Sequence, residues 1–374
     1  MPQQRLFDPT PVPDVTIRRA PRRLSVSIAA FAIVAAACTS GGGGSPSASA
    51  SAASSPASPG ASASEAASPS ADIAYPESPV TFVVPFAAGG PTDTVTRLVA
   101  EPMSATLGQQ IIVQNVAGAG GTLAAGQVAE AEPDGYTVLM HHIGMSTAPA
   151  LYADLPYDPL VDFKTIGLVT EVPMTIIGRK DFEPTTLQEL VDYVKANAAT
   201  VTYANAGIGA ASQLCGLLFM EAIDTKITEV PYDGTGPAME DLVGSQVDFM
   251  CDQTTNTTQQ ITSGNVKAYA ITSPERNEAL PDVPTTAEAG LPDLQVSVWH
   301  GLYVPAGTPD EIVQKLSAAL QEALTDQNVI DQFAALGTTP VAEDQATPDA
   351  HTAKLQEQLD LWRPIIEAAG VTAP

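Results

Sequence analysis

Residues Val80 to Met103 read VTFVVPFAAGGPTDTVTRLVAEPM, and how this stretch folds decides the architecture of the chain. Val80, Phe82, Val83 and Val84 form a short apolar run of the kind a parallel sheet buries, and Pro85 ends its ladder because it has no N–H. Ala87, Ala88, Gly89 and Gly90 carry little or no side chain, so a ligand can approach bare backbone there. Pro91, Thr92 and Asp93 then open a helix with Val95, Leu98 and Val99 on one face. The first N–H groups of a helix have no partner within it. With the positive end of the helix dipole they favour a carboxylate or phosphate without any Lys or Arg.

Residues Val201 to Phe219, VTYANAGIGAASQLCGLLF, repeat the pattern of strand, small-residue loop and apolar helix. Asn205, Gly207, Gly209 and Ser212 stand where the first copy has its loop residues. Two such loops, one from each of two α/β units, would hold one small ligand between them. A single Gly-rich turn after a strand is an ordinary βα connection, so each loop alone is weak evidence of a site.

Ahead of these units, Arg18, Arg19, Arg22 and Arg23 precede an apolar run from Leu24 to Ala37 that ends at Cys38. That run of 14 residues falls short of the roughly 20 that span a bilayer, so residues 1–37 read as an export signal. Ala35-Ala36-Ala37-Cys38 resembles a bacterial lipobox, in which Cys38 would be acylated and hold the protein on the outer face of the cell membrane. Cleavage at an ordinary A-x-A site beside an incidental Cys is the alternative. Residues 38–74 are rich in Ser, Ala, Pro and Gly and read as a disordered tether with an r.m.s. span of roughly 30 Å.

The chain carries 16 Lys and Arg against 42 Asp and Glu, a net charge of −26. This excludes nucleic acid as a natural partner, and it means that an anionic ligand must be captured by local donors rather than steered in by the overall field. After Cys38 only Cys215 and Cys251 remain. In an exported protein they are either bridged or two separate buried thiols. His141 and His142, adjacent on a strand, would point to opposite faces and make a poor metal site. No cofactor is expected.

Between the two loops the chain alternates strand and helix: a strand at Gln110–Asn115, a Gly-rich turn into a small-residue helix, a strand at Tyr136–His141, and a longer strand at Ile166–Ile177. Thr186-Leu187-Gln188-Glu189 is a capping box that starts the second unit. Strands at Ile227–Tyr232, Val247–Cys251 and Lys267–Thr272 alternate there with helices near 236–243 and 257–263. Val296–Val304 is strand-like again and crosses back. Thr308-Pro309-Asp310-Glu311 reads as a second capping box before Ile312, Leu316, Leu320 and Leu324, and a last helix runs from Pro348 to near Gly370. The expected organisation is a first domain from residues 75–176 and 300–374 and a second from 177–299. Two hinge crossings would join two mainly parallel sheets, with a cleft at the strands' C-terminal ends.

Nine motifs in order, PFAAGGPTD (85–93), AGAGG (117–121), EPDGYTVLM (132–140), LPYDPLVDF (155–163), YANAGIG (203–209), VPYDG (230–234), GSQVDFM (244–250), LPDVPTTAEAGLP (280–292) and PAGTP (305–309), resemble the tripartite tricarboxylate transporter substrate-binding proteins, the Bug family. The likeness covers nearly all of Tyr75 to Thr372. It implies an α/β, type II periplasmic-binding-protein-like fold, a two-domain Venus flytrap. Such a protein captures a small carboxylate and delivers it, as a monomer, to one large and one small integral-membrane subunit. Carried across, the first ligand loop runs from Phe86 through Ala87, Ala88 and Gly89 to Thr92 and Asp93. The second holds Asn205, Ala206, Gly207, Ala210, Ser212 and Gln213. Asp252 and Ser146 would face the cleft, and Thr235 would offer a further helix start.

This chain departs from the family inside the second loop, where Ala210 replaces a usual Ser and Gln213 a usual His. Losing one donor to a charged group costs about 1.5–3 kcal/mol unless another group compensates. Two other readings remain at this level: the same fold could feed a two-component sensor kinase, or Gly207-x-Gly209-x-x-Ser212 could be a dinucleotide fingerprint in an exported enzyme. The fingerprint lacks an acidic residue at the end of the next strand, since Glu229 precedes Val230-Pro231. No nucleophile elbow or Ser/His/Asp grouping suggests catalysis.

Overall fold

The computed structural model describes residues 74–373. The expected export signal, Cys38 and nearly all of the tether lie outside the described residues. The chain opens with β1 (Val80–Val84), α1 (Pro91–Leu107), β2 (Ile111–Asn115), α2 (Thr122–Ala129), β3 (Thr137–His142) and α3 (Gly144–Leu151). The 17-residue β4 (Phe163–Arg179) leads to α4 (Leu187–Asn197), β5 (Thr202–Asn205), α5 (Ala211–Ala222), β6 (Thr228–Pro231) and α6 (Thr235–Val243). Then come β7 (Phe249–Gln253), α7 (Thr254–Thr262), β8 (Val266–Ile271) and β9 (Ser297–Pro305), followed by α8 (Asp310–Thr325), α9 (Gln327–Ala335) and α10 (Pro348–Ala369).

The strands form one curled, nine-stranded mixed sheet in two halves. In the first, β1 lies parallel between β2 and β3, and β9 runs antiparallel between β3 and β4. In the second, β5 lies parallel between β6 and β7, while β7 and β8 run antiparallel to β4. The parallel part of each half is therefore three strands, and the long strands β4 and β9 add the antiparallel ones. Strand β4 serves both halves: residues up to Pro173 pair with β9, and from Met174 onward with β7. Pro173 has no N–H to give a ladder, and it sits where one partner stops and the next begins, so little pairing is lost.

Helices cover both faces of each half. Val80 and Phe82 of β1 pack with Val95, Val99, Leu316 and Phe333 from α1, α8 and α9. On the opposite face Leu139, Trp299 and Tyr303 meet α2, α3 and Leu355, Leu359 and Trp362 of α10. In the second half Ile177 and Met250 pack on Ala238, Met239 and Leu242 of α6. Burial on both faces explains why every residue of β1 except Thr81 is apolar.

Local signals acted as their chemistry predicts at Thr186 and Thr347, whose hydroxyls accept from Glu189 N–H and Ala350 N–H. Thr308 does not. Helix α8 begins one residue later than the capping-box reading, with Pro309 at its N-cap and no side-chain cap, and Thr308 Oγ1 has no partner. The Thr308 carbonyl instead accepts from Lys164 Nζ at 2.7 Å. Helix α7 starts at Thr254, directly after β7 and earlier than residue 257.

Cys215 of α5 and Cys251 of β7 are joined by a disulfide, with Cα atoms 6.1 Å apart and a sequence separation of 36. The bond ties the helix after the second Gly-rich loop to the strand that carries Asp252. Closing a loop of this length removes about 3–4 kcal/mol of unfolded-chain entropy. Replacing both cysteines with Ala is expected to lower the melting midpoint by roughly 5–6 °C. A midpoint within a degree of the wild type's under oxidising conditions would show that the bridge constrains little.

Candidate functional site

Four strand-to-helix junctions converge on one cavity between the halves. Its walls include Gly90, Pro91 and Thr92 at the start of α1, Ala210, Ala211 and Ser212 at the start of α5, Thr235 at the start of α6, and Asp252 and Gln253 leading into α7. Phe86, His142 and Ala206 complete it. Four helix N-termini thus present unpaired N–H groups and the positive ends of their dipoles to the same space. Among the described residues no Lys or Arg lines it. Gln253 also lines it, and its carboxamide oxygen is buried and has no hydrogen-bond partner among the described residues.

The cleft is shut. Ala87 N–H donates to Asp233 O at 2.9 Å, and Tyr152 OH lies 2.8 Å from the carbonyl oxygens of both Ala119 and Ile208. Thr147 Oγ1 is 3.3 Å from Gly209 O. The cavity left inside measures about 20 Å³, room for about one water. A larger space of about 620 Å³ lies on the other side of Phe86 and Ala206, bounded by Gly120, Tyr152, Gly207 and Asp233.

Of the residues expected at the site, Phe86, Thr92, Ala206, Ala210, Ser212, Thr235 and Asp252 line the cavity. The others hold the loops in place. Asp93 accepts from Gly89 N–H at 2.9 Å, from Asn115 Nδ2 at 3.0 Å and from Arg97, which closes the first loop on itself. Burial would raise its pKa, but the bonds from Arg97, Gly89 and Asn115 outweigh that and hold it below the ordinary range. Ala87, Ala88 and Gly89 form the outer edge of that loop, and Gly207 borders the larger space. Ser146 Oγ donates to Ile143 O at 2.7 Å and is not a cavity residue.

The second loop satisfies its own amides. Asn205 Oδ1 accepts from Gly207 N–H at 2.9 Å, Ser212 Oγ from Ala206 N–H at 2.9 Å, and Gln213 Oε1 from Gly209 N–H at 3.3 Å. Asn205 Nδ2 donates to Glu229 at 2.6 Å. Glu229 is raised by burial against lowering bonds from Asn205 and Gln213. Backbone N–H groups this deep need partners, and the side chains supply them. The donors left toward the cavity come from the α5 start at Ala211 and Ser212.

Gly90, Pro91 and Ala211 lie within the two loops expected to meet the ligand, whereas His142 and Gln253 are not among the residues expected there. His141 and His142 do not part to opposite faces: β3 ends at His142 and turns into α3, and the two rings meet edge to face at 5.0 Å. His142 stacks on Phe86 at 4.8 Å, and beyond it His300 Nε2 lies 3.4 Å from Thr92 Oγ1. Burial pushes His142 well below the ordinary imidazole value, with His141 and His300 adding to the effect, so it meets the cavity neutral. Among the described residues no cluster of His, Cys, Asp and Glu is placed to hold a metal ion.

Asp252 is the one carboxyl on the wall, with 1% of its surface exposed. Burial raises it to about 7, against the lowering effect of bonds from Asn256 Nδ2, Gln253 N–H and the Thr235 hydroxyl. The Asn256 bond is 2.6 Å.

The family described as tripartite tricarboxylate transporter family receptor matches residues 95–371 of the chain. A protein of Agrobacterium vitis from the TAR-I ttuE-ttuC' intergenic region is 56% identical over 297 residues, which is 79% of this chain and 86% of that one. The structure of the periplasmic binding protein BugD is similar at 52% identity and a TM-score of 0.78, over 80% of this chain and 99% of its own. MatC of Rhodopseudomonas palustris, solved with bound malate, is similar at 44% identity and a TM-score of 0.76, over 78% of this chain and all of its own, 100%.

Proposed function

Because the chain belongs to the tripartite tricarboxylate transporter receptor family, we propose that it captures a small carboxylate between its two lobes and hands it to a membrane transporter. The observation that carries this reading is the convergence of four helix N-termini on a cavity that, among the described residues, no Lys or Arg lines. Such a site suits a compact anion with several acceptor oxygens and disfavours neutral sugars, which have no charge to meet the dipoles. Thr92, Ser212, Thr235 and Gln253 add side-chain polarity, and the two Gly-rich loops let the carboxylate sit against backbone. The reading assigns binding and no reaction to the site.

A cavity of about 20 Å³ cannot admit a dicarboxylate, so capture requires the lobes to part. The change of partners at Pro173 on β4 is where the sheet bends most easily, and it serves as one hinge in this reading. The remaining parts complete the proposal. The export signal places the chain outside the cytoplasm, Cys38 carries lipid, and residues 38–74 let the domain reach a partner of one large and one small integral subunit. Among the described residues no helix is long and apolar enough to cross a membrane.

A thermal-shift panel on residues 75–374 tests the site, pairing mono-, di- and aromatic carboxylates with their neutral amides. An acid at about 100 times its Kd adds about 2.7 kcal/mol and should raise the midpoint by several degrees, while its amide does not. A clear shift from a sugar or nucleotide and none from any acid would overturn the proposal.

A further inference from the structure

We propose that Asp252 meets the bound anion as a neutral carboxylic acid that donates a hydrogen bond to it, so that capture above neutral pH takes up one proton. The inference rests on the carboxylate reading of the site and says how that site tolerates a second carboxyl group. Asp252 is 1% exposed and shares the cavity wall with the starts of α1, α5 and α6. Two ionised carboxylates in so small and dry a space repel strongly, and one of them must be protonated. The ligand's oxygens face helix N-termini, which favour its charged form. Asp252 stands at the junction of β7 and α7, where Asn256 Nδ2, Gln253 N–H and the Thr235 hydroxyl donate to it, and its burial outweighs these bonds and favours the neutral acid. The proton therefore settles on Asp252. Its pKa, raised by burial to about 7 before any ligand arrives, leaves it already half protonated near neutrality.

The other titratable groups around Asp252 stay silent through the relevant range. His142, across the cavity on β3, and His300, on β9 behind Thr92, are both held neutral by burial. Tyr203 on β5 is raised well above 10 by burial and remains protonated. Asp93 on α1 is held ionised by its bonds to Arg97, Gly89 and Asn115. The near side-chain neighbours on β4, α6 and α7 are Thr175, Thr235 and Asn256, which do not titrate. The proton comes from solvent and no bond to carbon changes.

Titration calorimetry at pH 8 in Tris and in HEPES, with each acid that raises the melting midpoint, reads the proton count from the difference in apparent enthalpy. Uptake of about one proton at pH 8 and about none at pH 5.5 is expected, with Kd weakening about tenfold per pH unit above about 7. In Asp252→Asn the uptake and the slope of log Kd against pH should both vanish. Tight binding at pH 8 with no proton uptake and a flat pH profile would overturn the inference and leave carboxylate capture standing. Preference for an ammonium-bearing acid such as aspartate over malate, again without uptake, would overturn it by showing Asp252 as an ionised acceptor. If no acid shifts the midpoint at either pH, the binding proposal itself fails and takes this inference with it.

Discussion

Gly120→Val is expected to abolish measurable binding of any acid that the wild-type protein captures, because it wedges the cleft open. Gly120 lies in a single turn between β2 and α2, and a Cβ there would sit 1.9 Å from the carbonyl oxygen of Ile208 across the cleft. A backbone atom cannot swing aside as a long side chain can. Tyr152 OH, which joins Ala119 to Ile208 in the closed form, would lose this bridge as well. Without closure a ligand on one lobe forfeits the N-termini of α5, α6 and α7, so the affinity loss should exceed about 100-fold, or about 2.8 kcal/mol. Gly120 also has φ of 60°, where a β-branched residue is strained whatever surrounds it. Gly264→Val separates the two effects: its φ is 66° and nothing lies within 4 Å of the added atom. That control should lose about 1–2 kcal/mol of stability and keep the wild-type Kd. Equal Kd values for the two variants would show that capture does not need this contact, and small-angle scattering with saturating acid would then show Gly120→Val as compact as the wild type.

How much of this arrangement is legible in the sequence depends on how local its causes are. Strand β1 and helix α1 are announced by an apolar run, a Gly-rich loop and Pro91 within a few residues, and the structure puts them at Val80–Val84 and Pro91–Leu107. Helix α8 declares itself by Ile312, Leu316, Leu320 and Leu324, all buried. Helix α3 does not, because GMSTAPAL has small residues, an internal Pro149 and no apolar stripe for a period to show. Helix α9 follows α8 across Asp326 alone, whose carboxylate accepts from Asn328 and Val329 N–H. That cap is visible in the sequence as Asp followed by Gln-Asn-Val, but it is masked by the stronger helix before it. The antiparallel placement of β4 and β9 is invisible locally, since pairing direction depends on partners far apart in the chain.

The site divides in the same way. Phe86, Thr92, Ala206, Ser212 and Asp252 are legible because each sits on a strand-to-helix turn or at a strand's C-terminal end. Gln253 and His142 occupy equivalent strand ends, yet only the turn of the backbone at each terminus decides which of two consecutive residues faces inward. Gln213 illustrates the converse. It sits where a ligand contact is expected, but Gly209 N–H lies closer to hand and claims its oxygen at 3.3 Å. A motif names the residues near a ligand without saying which of them the loop needs for itself.

Acid should destabilise this protein well before its exposed carboxylates titrate. The chain has four histidines, and His141, His142, His300 and His351 are all buried, with at most 2% of their surface exposed. Burial lowers His141 to about 4, opposed by bonds with His142 and Gly121 backbone, and lowers His300 and His351 to about 3. His142 goes the same way. A base whose folded pKa lies below its unfolded value of about 6.5 contributes stability that is present above that value and lost as pH falls toward the folded pKa. At pH 5 the loss is roughly 2 kcal/mol each for His141, His300 and His351. Asp252 acts in the opposite sense: its raised pKa makes the folded state hold a proton that the unfolded chain releases, so stability grows as pH falls through about 7. That returns about 2–3 kcal/mol by pH 5, leaving a net loss of roughly 3–4 kcal/mol from these groups against a typical total of about 5–15, with His142 acting in the same direction. The melting midpoint should therefore fall steeply between pH 7 and pH 5, and a flat or rising midpoint would refute the account. His351 isolates one share of the effect away from the ligand loops, since both its ring nitrogens lack partners where it packs against Gly301, Trp299 and Tyr303. His351→Leu removes a titrating group that makes no hydrogen bond, so it should recover about 2 kcal/mol of the acid loss at pH 5 and flatten the profile by that amount. A variant profile as steep as the wild type's would place the acid sensitivity elsewhere in the fold.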